Sequence, residues 1–337
     1  MNLMVDIALK KLPQPIQYGD GIMLVGSCFT EHIGNALAEL KFPVLQNPHG
    51  ILFDPASVGN SLLAYIDNRK YTREELFQLH EVWHSWGHHS RFSSMDPEDA
   101  LAKINQACEA GHHFLKKAKW LILTLGSSFS YHLTDEADNA ALKTGDGVAN
   151  CHRAPAQWFH KHLMEIEETV TMLDTCYHRL RQFNPGLQIL FTISPVRHLR
   201  DGVVENNRSK ARLLEAVHHL VNKFNGLHYF PAYELVIDVL RDYRFYDIDL
   251  AHPNYLATEF VLEKFTESCI ASEARELMQE LKKIGIAKRH RPMQPATKAH
   301  KEFLVKHIEK VSQLQAQYPF LDLSEELNYF TASVETR

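Results

Sequence analysis

Four short apolar runs, at 22–25, Trp120–Leu125, Gln188–Ile193 and 227–230, most limit what this 337-residue chain can fold into. None alternates apolar with polar residues, so each run needs cover on both faces. Strands of that kind belong to a parallel sheet flanked by helices. Phe29, Ile33, Leu37 and Leu40 form an apolar stripe directly after the first run, as one face of a helix would. Pro55, Pro97 and Pro155 stand where helices begin. They predict helices opening near Pro55, over Pro97–Lys117 and over 155–183, with two more over 209–224 and 255–283. The fold class expected is α/β. The segment 67–95 breaks the rhythm with Trp83, Trp86, His80, His84, His88 and His89 and offers no clean strand, so it reads as an excursion over the sheet's edge. After Gly285 comes the basic stretch Lys288-Arg289-His290-Arg291-Pro292, then a helical pattern over 297–317. The domain division expected is 1–284 for the main domain, and 285–337 for a basic linker and helical tail that could serve as an oligomer contact.

Composition excludes several function classes. Lys and Arg number 36 against 41 Asp and Glu, a net charge of −5 without a basic stripe, so nucleic acid is not the expected partner. The apolar runs are too short to cross a bilayer, so no membrane partner is expected. Met1-Asn2-Leu3-Met4-Val5-Asp6 lacks the pattern of a signal peptide. Five scattered cysteines without a Cys-x-x-Cys pair read as reduced thiols, and the expected location is cytoplasmic. The 21 histidines can serve as bases or metal ligands, but abundance alone marks no site.

The chemistry-bearing residues lie at two ends of the chain. The first strand ends in Val25-Gly26-Ser27-Cys28-Phe29-Thr30, immediately ahead of a helix. In open α/β sheets, ligands bind beyond the carboxyl ends of the strands. A serine there can act as nucleophile while its own N–H holds an oxyanion. The plainer reading is that Ser27 or Thr30 caps the helix. Far downstream, Asp249 and His252 stand three apart in Tyr246-Asp247-Ile248-Asp249-Leu250-Ala251-His252-Pro253-Asn254. A carboxylate on one imidazole nitrogen fixes the tautomer and frees the other nitrogen to take a serine's proton. An isolated Asp-x-x-His is a weak signal, and its pairing with Gly-Ser after the first strand strengthens it.

Further stretches join these two: Asn47-Pro48-His49-Gly50-Ile51-Leu52, Ser85-Trp86-Gly87-His88-His89-Ser90, Thr124-Leu125-Gly126, Asn150-Cys151-His152-Arg153, Ser194-Pro195-Val196-Arg197-His198, Asp201-Gly202, Ser209-Lys210 and Leu240-Arg241-Asp242-Tyr243-Arg244-Phe245-Tyr246. In this order, over about residues 18–265, the chain resembles the SGNH/GDSL hydrolases and more closely the GSCFA family, named for the motif that appears here as Gly26-Ser27-Cys28-Phe29-Thr30. The resemblance implies a three-layer α/β/α sandwich and a serine esterase acting on acylated small molecules or acyl-sugars, without a cofactor. It puts Ser27 at the nucleophile, with His252 as base and Asp249 as orienting acid. Gly50 is the counterpart of an oxyanion glycine. The relatives' Gly-x-Asn is Gly126-Ser127-Ser128 here, so either Ser128 replaces the asparagine donor, or Asn47 or Asn150 supplies it. Loss of one such donor costs on the order of 10²–10³ in rate.

Other readings stay open at this point. Cys28 is the rival nucleophile, although the residue after the serine is expected to point inward and be inert. Arg197, rimming the same crevice with His198, either grips a substrate carboxylate or phosphate or pairs with Asp242 or Asp247. His84 and His88, four apart, would share a helix face and offer two zinc ligands to a metal-dependent hydrolase; as an alternative they wall the pocket with Trp83 and Trp86 for a sugar. A carbohydrate-binding protein without turnover is the remaining reading. If the serine hydrolase reading holds, Ser27 Oγ should lie roughly 2.6–3.2 Å from a ring nitrogen of His252, with Asp249 on the other.

Overall fold

A computed structural model describes residues 5–137 and 143–335, so Met1–Met4 of the N-terminal stretch and the last two residues of the tail lie outside it. In chain order the elements are β1 Ile22–Gly26, α1 Cys28–Glu39, β2 Val44–Gln46, α2 Pro55–Ile66, β3 Phe77–Leu79, β4 Val82–His84, α3 Pro97–Lys117, β5 Trp120–Leu125, β6 Phe129–Leu133, β7 Gly147–Val148 and β8 Phe159–Leu163. There follow α4 Ile166–Phe183, β9 Gln188–Ile193, α5 Gly202–Lys223, β10 Leu227–Tyr229, α6 Ala232–Glu234 running into a π-helical turn Leu235–Leu240, α7 Tyr255–Cys269, α8 Ser272–Arg289, α9 Lys298–Gln317 and α10 Ser324–Glu335.

The four apolar runs are the strands of one sheet, joined at its edge by β2. Its order is β10-β9-β5-β1-β2, and every pairing is parallel. The alternation of side chains divides the core in two. Ile22, Leu24, Trp120, Ile122 and Leu190 face α1 and α7–α10. Met23, Val25, Leu121, Leu123, Ile189 and Phe191 face α2–α5. The fold is thus a three-layer α/β/α sandwich with C-terminal helices. Leu304, Val311, Leu314 and Phe330 of the tail are buried in the same cluster as Ile22 and Leu24 of β1, so the tail helices extend one layer of the sandwich.

Several local expectations change. Pro155 does not open a long helix; a single 3₁₀ turn over Ala156–Trp158 and then β8 follow it, and α4 begins at Ile166. The excursion does contain strands, a hairpin of β3 and β4, and β6–β8 form a second, antiparallel sheet in the order β7-β6-β8. Trp86 does not wall a pocket: it is buried, stacked on Phe77 with centroids 3.6 Å apart, in a small core with Leu133 and Val148. The 255–283 helix is two helices, broken where Ile270 bridges to Ile16.

Among the sheet strands alone, the spatial order is second, first, third, fourth, fifth. Chain direction across the sheet reverses between β1 and β5, and at such a switch point the connections leave on opposite faces and open a crevice beyond the carboxyl ends. Ser27 follows β1 and Gly126 follows β5, which puts both at that crevice.

Candidate active site

Gly26 makes the turn out of β1 with φ +144°, and a Cβ there would lie 2.1 Å from Thr124 O on the neighbouring strand. No L side chain fits such a position. Gly26→Ala is expected to cost ~3 kcal/mol or more, from backbone strain and overpacking together. Urea denaturation measures it, and a loss below ~1 kcal/mol would show that the β1–β5 contact yields.

This turn delivers Ser27 to the start of α1. Ser27 is 1% exposed, and its Oγ has no hydrogen-bond partner among the described residues. It occupies the N-cap position, yet its hydroxyl caps nothing, so the plain capping reading does not account for it. The expected hydrogen bond to His252 is not made either. His252 Nδ1 lies 2.6 Å from Asp249 Oδ2, and Asp249 Oδ1 accepts from the backbone N–H of Ala251 and of His252. These three donors hold the Asp249 carboxyl down to about 2, the two backbone bonds contributing most. The turn is closed by Asp247 N–H to His252 O, and is tied to the loop after β9 by Arg197 N–H to Ala251 O. The Asp249–His252 pair therefore stands on the loops at the sheet's carboxyl edge, half exposed, with the imidazole held by its own turn and not by Ser27.

The expected oxyanion donors are mostly committed elsewhere. Ser27 N–H donates to Thr124 O at 3.0 Å, and Gly50 N–H to Asn47 O at 2.7 Å. Ser128 is fully buried and donates to Ser209 O, so the structure does not offer its hydroxyl to the crevice. Gly126 N–H is taken by Phe53 O. The Asn47 side chain accepts from Gly26 N–H and so braces the turn that carries Ser27; its amide nitrogen lies 3.5 Å from Glu31. Asn150 Oδ1 takes His152 N–H in a local turn, while its backbone N–H donates to Trp86 O. The sequence could not show most of this, because Ser27, Gly126 and Ser128 are bonded to partners distant in the chain.

Cys28 is not turned wholly inward, as had been expected: it is partly exposed. Burial nevertheless pushes its thiol up, outweighing the amides of Phe29 and Cys28 and the Lys210 ammonium, which favour the thiolate. At neutral pH it is a thiol and a poor nucleophile. Arg197 pairs with neither Asp242 nor Asp247. Arg244 takes Asp242 through two hydrogen bonds, and the Arg197 guanidinium lies 4.3 Å from the Tyr246 ring centroid. His198 Nε2 lies 3.0 Å from Gly126 O; a carbonyl only accepts, so this nitrogen carries the proton. Burial, with the Lys210 charge second, lowers His198 to about 4.

The histidine-rich segment docks on the loop after β2. His89 N–H donates to His49 O, and the rings of His49 and His88 stack with centroids 4.2 Å apart. A Cβ on Gly50, whose φ is +85°, would lie 2.1 Å from His89 Cβ, so glycine is what lets this segment close on the loop. His84 and His88 share no helix face: His84 ends β4 and bonds Ser93, while His88 lies in the following turn and bonds Ser85. Among the described residues no group of three or more His, Cys, Asp or Glu is placed to hold a metal ion, so the zinc reading has no ligand set. No described helix is long and apolar enough to cross a membrane.

An α/β sandwich with a glycine-serine turn at its switch point and an Asp-His pair on the same edge defines the class of architecture. The profile of the GSCFA family matches residues 21–265, and that of the C-terminal domain of GSCFA domain proteins matches residues 281–336. The chain belongs to the GSCFA family. No curated protein matches it.

Proposed function

We propose that this protein is a serine hydrolase of acyl esters, with Ser27 as nucleophile, His252 as general base and Asp249 as the group that orients it. The observation that carries the reading is the Asp249–His252 pair, 2.6 Å apart through Nδ1, on the same sheet edge as a buried serine hydroxyl that has no partner among the described residues. Asp249 accepts at Nδ1, which leaves Nε2 with its lone pair, the form that can take a proton from a serine. Catalysis on this reading requires the turn 247–252 to close until Nε2 meets Ser27 Oγ. Ser27 then attacks the ester carbonyl, His252 passes the proton to the departing alcohol, and water releases the acid from the acyl-enzyme. The substrate class proposed is an acylated small molecule or carbohydrate, and five free thiols fit a reducing cytoplasm.

The test is a fluorophosphonate probe together with a series of short acyl esters. Ester turnover and covalent labelling that maps to Ser27 are expected. Labelling at Cys28, or turnover without any modification of Ser27, would sink the assignment. Sugar binding without turnover would favour a carbohydrate-binding protein on the same fold.

A further inference from the structure

Lys210 lies in α5 and is 1% exposed, yet no carboxylate is paired with it among the described residues. Its Nζ donates to Gly126 O and to Ser194 O, both at 2.6 Å. Those two carbonyls stand where the sheet opens. β5 and β9 pair in register up to Leu125 and Ile193, and Ser194 N–H still reaches Leu125 O. One residue on, the strands part, and Val196 N–H turns to the Ser194 hydroxyl and leaves the ladder. A crevice at this edge requires the strands to diverge, and divergence strips the last carbonyls of their ladder donors. Buried carbonyls need replacements. A lysine supplies them from one atom, and brings a positive charge to the crevice floor.

Gly126 connects that charge to the nucleophile. A Cβ on Gly126 would lie 3.3 Å from Ser27 Cβ, so the peptide that Lys210 grips abuts the serine. His198 Nε2 shares the same carbonyl. Meanwhile the N–H groups of Ser27, Gly50 and Gly126, with the Ser128 hydroxyl, are all occupied. The buried cation on the Gly126 peptide thus adds an anion-stabilising field next to Ser27 that does not depend on those N–H groups.

We propose that Lys210 is a positioning residue of the Ser27 site, holding Gly126 and Ser194 at the split between β5 and β9 and setting a positive field under the position where ester oxygen charge develops. This rests on the hydrolase reading for its catalytic part only; its structural part stands alone. Burial lowers the amine to about 7, so near neutral pH the ammonium is poised to lose its charge.

Lys210→Met and Lys210→Gln are compared with the unaltered protein in two measurements. The first is hydrogen exchange of the substrate-free protein by mass spectrometry. Peptides over 124–130 and 192–198 should exchange at least ~10-fold faster in Lys210→Met, while those over β1 and α2 should not change. The amide of Lys210→Gln can keep one carbonyl bonded and should give a smaller effect. The second is ester kinetics: kcat should fall ~10²-fold with KM within about threefold. The unaltered protein should lose kcat as pH rises through about 7, where the ammonium discharges, and both variants should lack that limb. Unchanged exchange at both segments in Lys210→Met overturns the positioning role, and kcat and pH profile equal to the unaltered protein's overturn the field. Absence of turnover and of Ser27 labelling in the unaltered protein would instead condemn the hydrolase reading, with the exchange measurement still deciding on Lys210.

Discussion

Replacing Ser27 by alanine should lower ester turnover by ~10⁴-fold or more and leave the protein as stable as before, or more so. The two halves of this expectation have separate causes. As nucleophile, the serine forms the acyl-enzyme, and removing it leaves only what binding and the remaining field supply. As a structural group it contributes nothing: its Oγ is buried and bonds to no other described residue. A buried hydroxyl without a partner carries a desolvation penalty of about 1–3 kcal/mol, part of which alanine relieves. A helix cap would behave in the opposite way, costing about 1 kcal/mol on replacement. Thermal denaturation and initial rates on the same preparations decide it. Loss of stability with retained turnover would return Ser27 to the status of a cap. His252→Ala should show a similar collapse of kcat without the gain in stability, since its ring is half exposed and bonded to Asp249.

The second large effect is acid instability centred on the loop that carries Gly50. His49 and His88 are buried, stacked and uncharged. Burial, with Arg69 and Arg91 adding to it, lowers His49 to about 3. His88 is lowered too, first by burial and then by His49, Arg69 and His152. Among the described residues His49 Nδ1 and His88 Nε2 have no partner, so neither ring has an acceptor there for a second proton. A folded value below the unfolded one means that the unfolded chain binds more protons through the window between them. The stability His49 contributes is therefore whole above about pH 6.5 and is lost as pH falls toward 3, and His88 adds a loss of the same sign. At about pH 5 the loss is about 2 kcal/mol for His49. Midpoints of urea denaturation from pH 8 to 4.5 measure it, and His88→Gln should reduce the slope by close to one proton. A flat profile between pH 6.5 and 5 would show that the stack admits protons or water freely.

Much of this architecture was legible in the chain. Continuous apolar strands at 22–25, Trp120–Leu125 and Gln188–Ile193 can be satisfied only between two helical layers, so the parallel sandwich follows from composition along a few short windows. Asp249 and His252 could be read as a pair because a tight turn brings residues three apart together whatever the rest of the fold does. Short strands without a strong pattern were not legible. β2, β7 and the β3–β4 hairpin depend on what packs over them, and β8 begins where Pro155 promised a helix. Ser209-Lys210 was visible as a motif but not as a site, since an interior lysine in a helix shows its meaning only when the carbonyls it reaches are known.

What the sequence by itself determined is the class of fold and the local Asp249–His252 bond, set by periodicity and short spacing. What only the tertiary structure decided is which polar groups are spent and which are free. Ser27 N–H goes to Thr124, Gly50 N–H to Asn47 and the Ser128 hydroxyl to Ser209, while Ser27 Oγ is left unpaired and Lys210 closes the split in the sheet. Hydrogen bonds are allotted by proximity in space, and most of these partners are brought together only when strands and helices far apart in the chain have packed.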